Sequence, residues 1–161
     1  MKRMLAAVLV GSVLAWFPEP AGAQHTADFG TIFDKVNPSV VVIRARGRDV
    51  TRDGLIGFTE IGSGVLISAD GKIMTAAHVT RATDEINVEF LGGETIRART
   101  LAEEPAADLE LLQLERVPAG AKVATLGDSN RVRVGDPVII VGAPYGLSHA
   151  MSAGWISTPF R

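Results

Sequence analysis

Between residues 62 and 75 the chain reads Gly62-Ser63-Gly64-Val65-Leu66-Ile67-Ser68, then Ala69-Asp70-Gly71, then Lys72-Ile73-Met74-Thr75. An apolar run, an Asp-Gly breaker and a second short run predict strand, tight turn and strand. The hairpin leads directly into Ala76-Ala77-His78-Val79-Thr80, so one of the chain's three histidines stands at a strand end. A histidine in such a place is commonly a satisfied, half-buried polar residue, and its surroundings have to decide its role.

Working outward, Val40 to Ile43 is a short β-branched run suited to a buried strand. Ile86, Val88 and Phe90 alternate with polar residues, Gly92-Gly93 turns the chain, and Ile96 and Ala98 alternate again. This predicts a second hairpin with one wet face. Leu109 to Leu114, Pro137 to Val141 and Ala150 to Ser157 complete the strand candidates, and the polar segment Gly47 to Glu60 reads as a surface loop. Before the strands, Phe29, Ile32, Phe33 and Val36 recur at helical spacing between Thr26 and Val36, and Asn37-Pro38 ends that helix. Short strands separated by frequent turns point to an all-β barrel or sandwich.

The chain has 161 residues and a formal net charge of −2. It begins with a basic head at Lys2 and Arg3, an apolar stretch from Met4 to Phe17, and an A-x-A ending at Ala23. That pattern predicts a secretory signal peptide over 1–23, the apolar stretch being shorter than the roughly 20 residues a membrane span needs. The remainder has the size of one ordinary domain. No basic block points to nucleic acid, and no membrane contact is expected once the signal is removed. Cysteine is absent, which excludes disulfides and thiol chemistry. His25, His78 and His149 lack metal-ligand spacing, so no metal or other cofactor is expected.

Further along, Asp108 opens the apolar run in Pro105-Ala106-Ala107-Asp108-Leu109-Glu110-Leu111-Leu112. Read in order, the chain then carries Gly62-Ser63-Gly64, Asp70-Gly71, Thr75 to Val79, Asp108-Leu109, Leu126-Gly127-Asp128-Ser129, Arg133-Val134-Gly135-Asp136 and Gly142-Ala143-Pro144-Tyr145-Gly146-Leu147. From about Phe29 onward this series resembles the N-terminal part of trypsin-like serine proteases of the HtrA (DegP-like) type. Each motif is weak alone; the shared order is specific.

The resemblance implies a double β-barrel of the chymotrypsin/trypsin kind. A segment with a short helix at 24–38 would precede a first barrel at 39–118, and the connection and opening strands of an incomplete second barrel would follow at 119–161. It implies that His78 is a general base and Asp108 its orienting carboxylate. The chemical need is plain: a serine hydroxyl is a poor nucleophile near neutral pH, and an imidazole must take its proton as it attacks. The resemblance further implies location in the periplasm, with polypeptide substrates or unfolded proteins as partners.

Ser129 in Gly127-Asp128-Ser129-Asn130 mimics a serine signature, but the glycines whose N–H groups would build an oxyanion hole are replaced by Asn130 and Arg131. The serines at 39, 63, 68, 148, 152 and 157 lie in no nucleophile-elbow setting. The nucleophile serine and oxyanion loop are therefore expected to be absent from these 161 residues, and the chain alone is expected to be inactive. Completion by a downstream fragment, or homo-oligomerisation through unpaired strands, is the expected partnership. The alternatives are a pseudoprotease that binds unfolded chains or a protease partner, and a ligand-binding barrel with coincidental motifs. Two departures from the family pattern stand out. Glu110 replaces a small residue two positions after Asp108, where burial on the same strand face would make Asp108 harder to ionise. Ala143 stands in place of asparagine before Pro144.

Overall fold

A computed structural model describes residues 28–52, 54–144 and 149–158. The predicted signal peptide, His25 and residues 145–148 lie outside the described residues. The helical periodicity at the start is realised as α1, Phe29–Val36, capped by Asp28, whose side chain accepts from Thr31 N at 3.2 Å. The α-helix ends where the sequence predicts, passing into a 3₁₀ turn over Asn37–Ser39, but Asn37 keeps helical angles (φ −52°, ψ −40°) rather than the extended ones a following proline favours.

Six strands follow: β1 (Val40–Thr51), β2 (Gly54–Leu66), β3 (Lys72–Thr75), β4 (Thr83–Glu89), β5 (Thr95–Glu104) and β6 (Leu109–Leu114). Their pairings are antiparallel and run β1-β2-β3-β6-β5-β4, with β4 returning to β1, so the sheet closes into a barrel without free edges. Inside, Val41, Ile43, Leu66, Ile73, Val88 and Leu112 are fully buried. Each such side chain contributes about 1.5–3 kcal/mol relative to exposure. The described residues are all-β with one short α-helix, as the sequence predicts.

The polar segment 47–60 is not a loop. It forms the outer half of the β1–β2 ladder, which stays in register from Val40↔Val65 to Thr51↔Gly54. Beyond Gly47, the last residue of β1 paired with β4, this hairpin leaves the barrel and both faces meet solvent, so no apolar alternation marks it. Backbone pairing holds it instead, with an Arg48–Asp84 ion pair at 3.0 Å on its flank.

The glycines of the opening stretch answer a packing need. A Cβ on Gly64 would stand 2.6 Å from Ile73 Cγ2, and one on Gly62 would stand 2.5 Å from Val79. The β2 backbone thus lies directly against the core and against the turn that follows β3. From there the chain runs back along the barrel, where Ala124 N donates to Leu66 O at 2.8 Å. It ends in a separate antiparallel pair, β7 (Pro137–Gly142) and β8 (Ala150–Trp155). Ala143 N donates to Ser63 Oγ at 2.7 Å and fixes this pair to the mouth of β2.

Candidate active site

After β3 the chain cannot continue the ladder, because Ala77–Val79 turn as one 3₁₀ unit with Ala77 and Val79 buried and His78 outward. Asp108 is reached from the other side. It closes a 3₁₀ turn over Pro105–Ala107 and adopts a left-handed conformation (φ 52°), which a short polar side chain tolerates better than most. β3 and β6 pair in the register Thr75↔Glu110, and this brings together two residues separated by thirty positions.

Three contacts join them. Ala77 N donates to Asp108 O at 3.3 Å, His78 N donates to Asp108 Oδ1 at 3.0 Å, and His78 Nδ1 lies 2.7 Å from Asp108 Oδ2. The ring contact, then the backbone contact, hold the Asp108 carboxyl below the usual carboxylate range, and the charges of His78 and Arg81 add to this. An ionised carboxylate only accepts, so the short ring contact puts a proton on Nδ1, and in the neutral imidazole the lone pair then lies on Nε2. The His78 side chain is 66% exposed, which leaves Nε2 open to an approaching group.

The expected penalty of Glu110 on Asp108 is not found. Asp108 precedes β6 in a left-handed turn, so strand alternation does not carry from 108 to 110. Glu110 instead points into the barrel, 4% exposed, and accepts from Thr80 Oγ1 and from Thr100 Oγ1, the latter at 2.6 Å. Burial raises the Glu110 carboxyl above its usual range, with Glu103 adding to the rise. Thr80 and Thr100 are neighbours of the site that no sequence motif marks.

The described serines stand elsewhere. Ser129 opens a 3₁₀ turn in the connection, Ser63 Oγ accepts from Ala143 N, and Ser68 Oγ accepts from Lys72 N. Among the described residues none hydrogen-bonds His78. His149 is set apart as well: its Nδ1 meets Asn37 Oδ1, and burial lowers its pKa. Among the described residues no group of three His, Cys, Asp or Glu side chains could hold a metal ion.

Comparison with known proteins agrees with this architecture. Residues 62–161 match the family model of the trypsin-like peptidase domain. A "Probable periplasmic serine endoprotease DegP-like" of Halomonas elongata is 29% identical over 98% of this chain and 40% of its own length. The protein of the same name from Ectopseudomonas mendocina is 36% identical over 63% of this chain and 21% of its own length. The chain thus spans well under half of these relatives. Among solved structures, the HtrA-type protease AlgW with a decapeptide superposes with a TM-score of 0.69 at 23% identity, covering 80% of this chain and 45% of that one. A form of AlgW with a tripeptide gives 0.69 at 26% identity, covering 81% and 40%. The chain belongs to the family of trypsin-like peptidase domains and lies on its HtrA (DegP-like) side.

Proposed function

We propose that these residues supply the base and its carboxylate to an exported HtrA-type serine endopeptidase. The nucleophile serine, the oxyanion donors and the specificity pocket come from polypeptide outside the 161 residues. The 2.7 Å contact between His78 Nδ1 and Asp108 Oδ2 carries this reading. With Nδ1 protonated and held, Nε2 takes the proton of an incoming serine hydroxyl as its oxygen attacks a peptide carbonyl. Asp108 then stabilises the imidazolium, which later returns the proton to the leaving amine.

The apolar residues of the β7–β8 pair support completion by further chain. Ile140 is 71% exposed on one face, while Trp155 (71%) and Met151 (43%) are exposed on the other. A two-stranded ribbon with two apolar faces is not stable alone in water and calls for covering on both sides. Peptide substrates follow from the relatives, which are named endoproteases or were solved with peptides. Export to the periplasm follows from the relatives' names and from the basic head, apolar stretch and A-x-A ending of residues 1–23.

The same exposed apolar residues favour a second reading, a pseudoprotease that holds unfolded chains without cutting them. Casein hydrolysis separates the two. The chain alone is expected to show none. Mixed with a polypeptide that carries the remainder of the second barrel, it is expected to hydrolyse casein. Casein binding without cleavage in that mixture would establish the second reading.

A further inference from the structure

The strand β6 buries every second residue, and its inward positions are Glu110, Leu112 and Leu114. A leucine at 110 would fill the barrel without desolvating a charge, and replacing buried charged groups by apolar ones is often neutral or stabilising. Glu110 is nonetheless there, and both of its oxygens are used. Oε2 accepts from Thr80 and Oε1 from Thr100. Among the described residues no cation pairs with it.

The placement of these two hydroxyls is informative. Thr80 directly follows the 3₁₀ turn that carries His78 and is itself buried. Its tie to Glu110 therefore repeats the His78–Asp108 tie two residues further on in both segments, with the same separation of thirty positions. Thr100 sits where the β5–β6 register shifts between Thr100 and Ala102, a bulge that breaks the β5 alternation beside Glu110. Asp108 grips the histidine turn at its outer end, and Glu110 grips it from inside the barrel. Buried Ala77 and Val79 seat the turn on the barrel, and the Glu110 tie adds an inner hydrogen bond behind the imidazole to the outer ones from Asp108.

We propose that Glu110 is a positioning residue for the His78–Asp108 pair, acting through Thr80 and braced by Thr100. This rests on the reading of that pair as the base and carboxylate of a peptidase, but it concerns ring orientation and is tested without any hydrolysis. The readout is the ratio of Nδ1–H to Nε2–H tautomers of His78, from long-range proton–nitrogen correlations of the ¹⁵N-labelled chain. Wild type is expected to show predominantly the Nδ1–H form. Glu110→Ala is expected to lower the ratio about tenfold, the order of one net hydrogen bond. Glu110→Gln, which still accepts from one hydroxyl and donates to the other, is expected to restore it.

Thr80→Val removes only the histidine-side tie and decides the matter if Glu110→Ala fails to fold. It is expected to lower the ratio as Glu110→Ala does, while Leu112→Val, a core change of similar stability cost, leaves the ratio unchanged. An unchanged ratio in folded Thr80→Val would overturn the proposal, as would an equal fall in Leu112→Val. Loss of the peptidase reading would show separately, as absence of hydrolysis in the completed domain with the tautomer results intact.

Discussion

Asp108 accepts from His78 twice, from its backbone N–H at 3.0 Å and from its ring Nδ1 at 2.7 Å. One carboxylate thereby fixes both where the turn sits and which ring nitrogen carries the proton. Asp108→Asn keeps the size and the tolerance of the left-handed conformation but brings an N–H₂ that can face Nδ1. The barrel is expected to remain folded, and His78 to shift toward the Nε2–H form. In the completed enzyme, kcat is expected to fall by about 10⁴, the cost of the wrong tautomer in such triads.

Stability against pH is expected to have two distinct regions. Burial raises the Glu110 carboxyl in the folded state above its ordinary value of 4.5. Between those two values the unfolded chain holds fewer protons than the folded one, so stability declines as pH rises from about 4.5 and levels off above the folded value. Asp108 acts the other way: its carboxyl is lowered below 3.8, so its contribution is present above that pH and is lost as pH falls toward the folded value. Urea midpoints measured across pH should show Glu110→Gln flattening the upper region and Asp108→Asn the lower.

A methyl group added to the β2 backbone should separate core packing from site geometry. Gly64→Ala would drive Cβ to 2.6 Å from Ile73 Cγ2 and 2.9 Å from Ile43 Cδ1. Overpacking of this kind costs about 1–3 kcal/mol, readable as a lower thermal midpoint. Gly62→Ala meets Val79, the neighbour of His78, and is expected to disturb the His78 tautomer ratio as well as stability. Thermal melts together with ring-nitrogen spectra of both variants check this.

The exposed faces of β7 and β8 should make the isolated chain self-associate. Sedimentation is expected to show concentration-dependent oligomers, reduced in Ile140→Ser and further reduced in Ile140→Ser with Trp155→Ser, because each removes a residue that is 71% exposed.

Most of the barrel was legible in the sequence because its strands bury one face or both, and burial writes itself as alternation or as a β-branched run. Val40 to Ile43, the Ile86 and Ile96 hairpin and Leu109 to Leu114 all became strands of the barrel. The outer half of the β1–β2 hairpin leaves no such trace for the converse reason: Arg46, Arg48, Asp49 and Thr51 are held by backbone pairing and by charges, which have no period. The pairing of His78 with Asp108 followed from motif order and resemblance, and geometry brought them together. Thr80 and Thr100 were hidden because their meeting with Glu110 depends on the β3–β6 register and on the bulge in β5. Glu110 is legible as a charge at an odd place, but alternation carried through Asp108 sets it beside the wrong partner, because the left-handed backbone at Asp108 breaks the strand period.

The most direct measurement is covalent labelling by a fluorophosphonate in a mixture of this chain and a polypeptide carrying the serine-bearing second barrel of a trypsin-like peptidase. The expected result is a labelled serine on the added polypeptide only when this chain is present, and no label when His78→Ala replaces it. Equal labelling with and without the chain, or labelling that survives His78→Ala, would contradict a base and carboxylate supplied by His78 and Asp108.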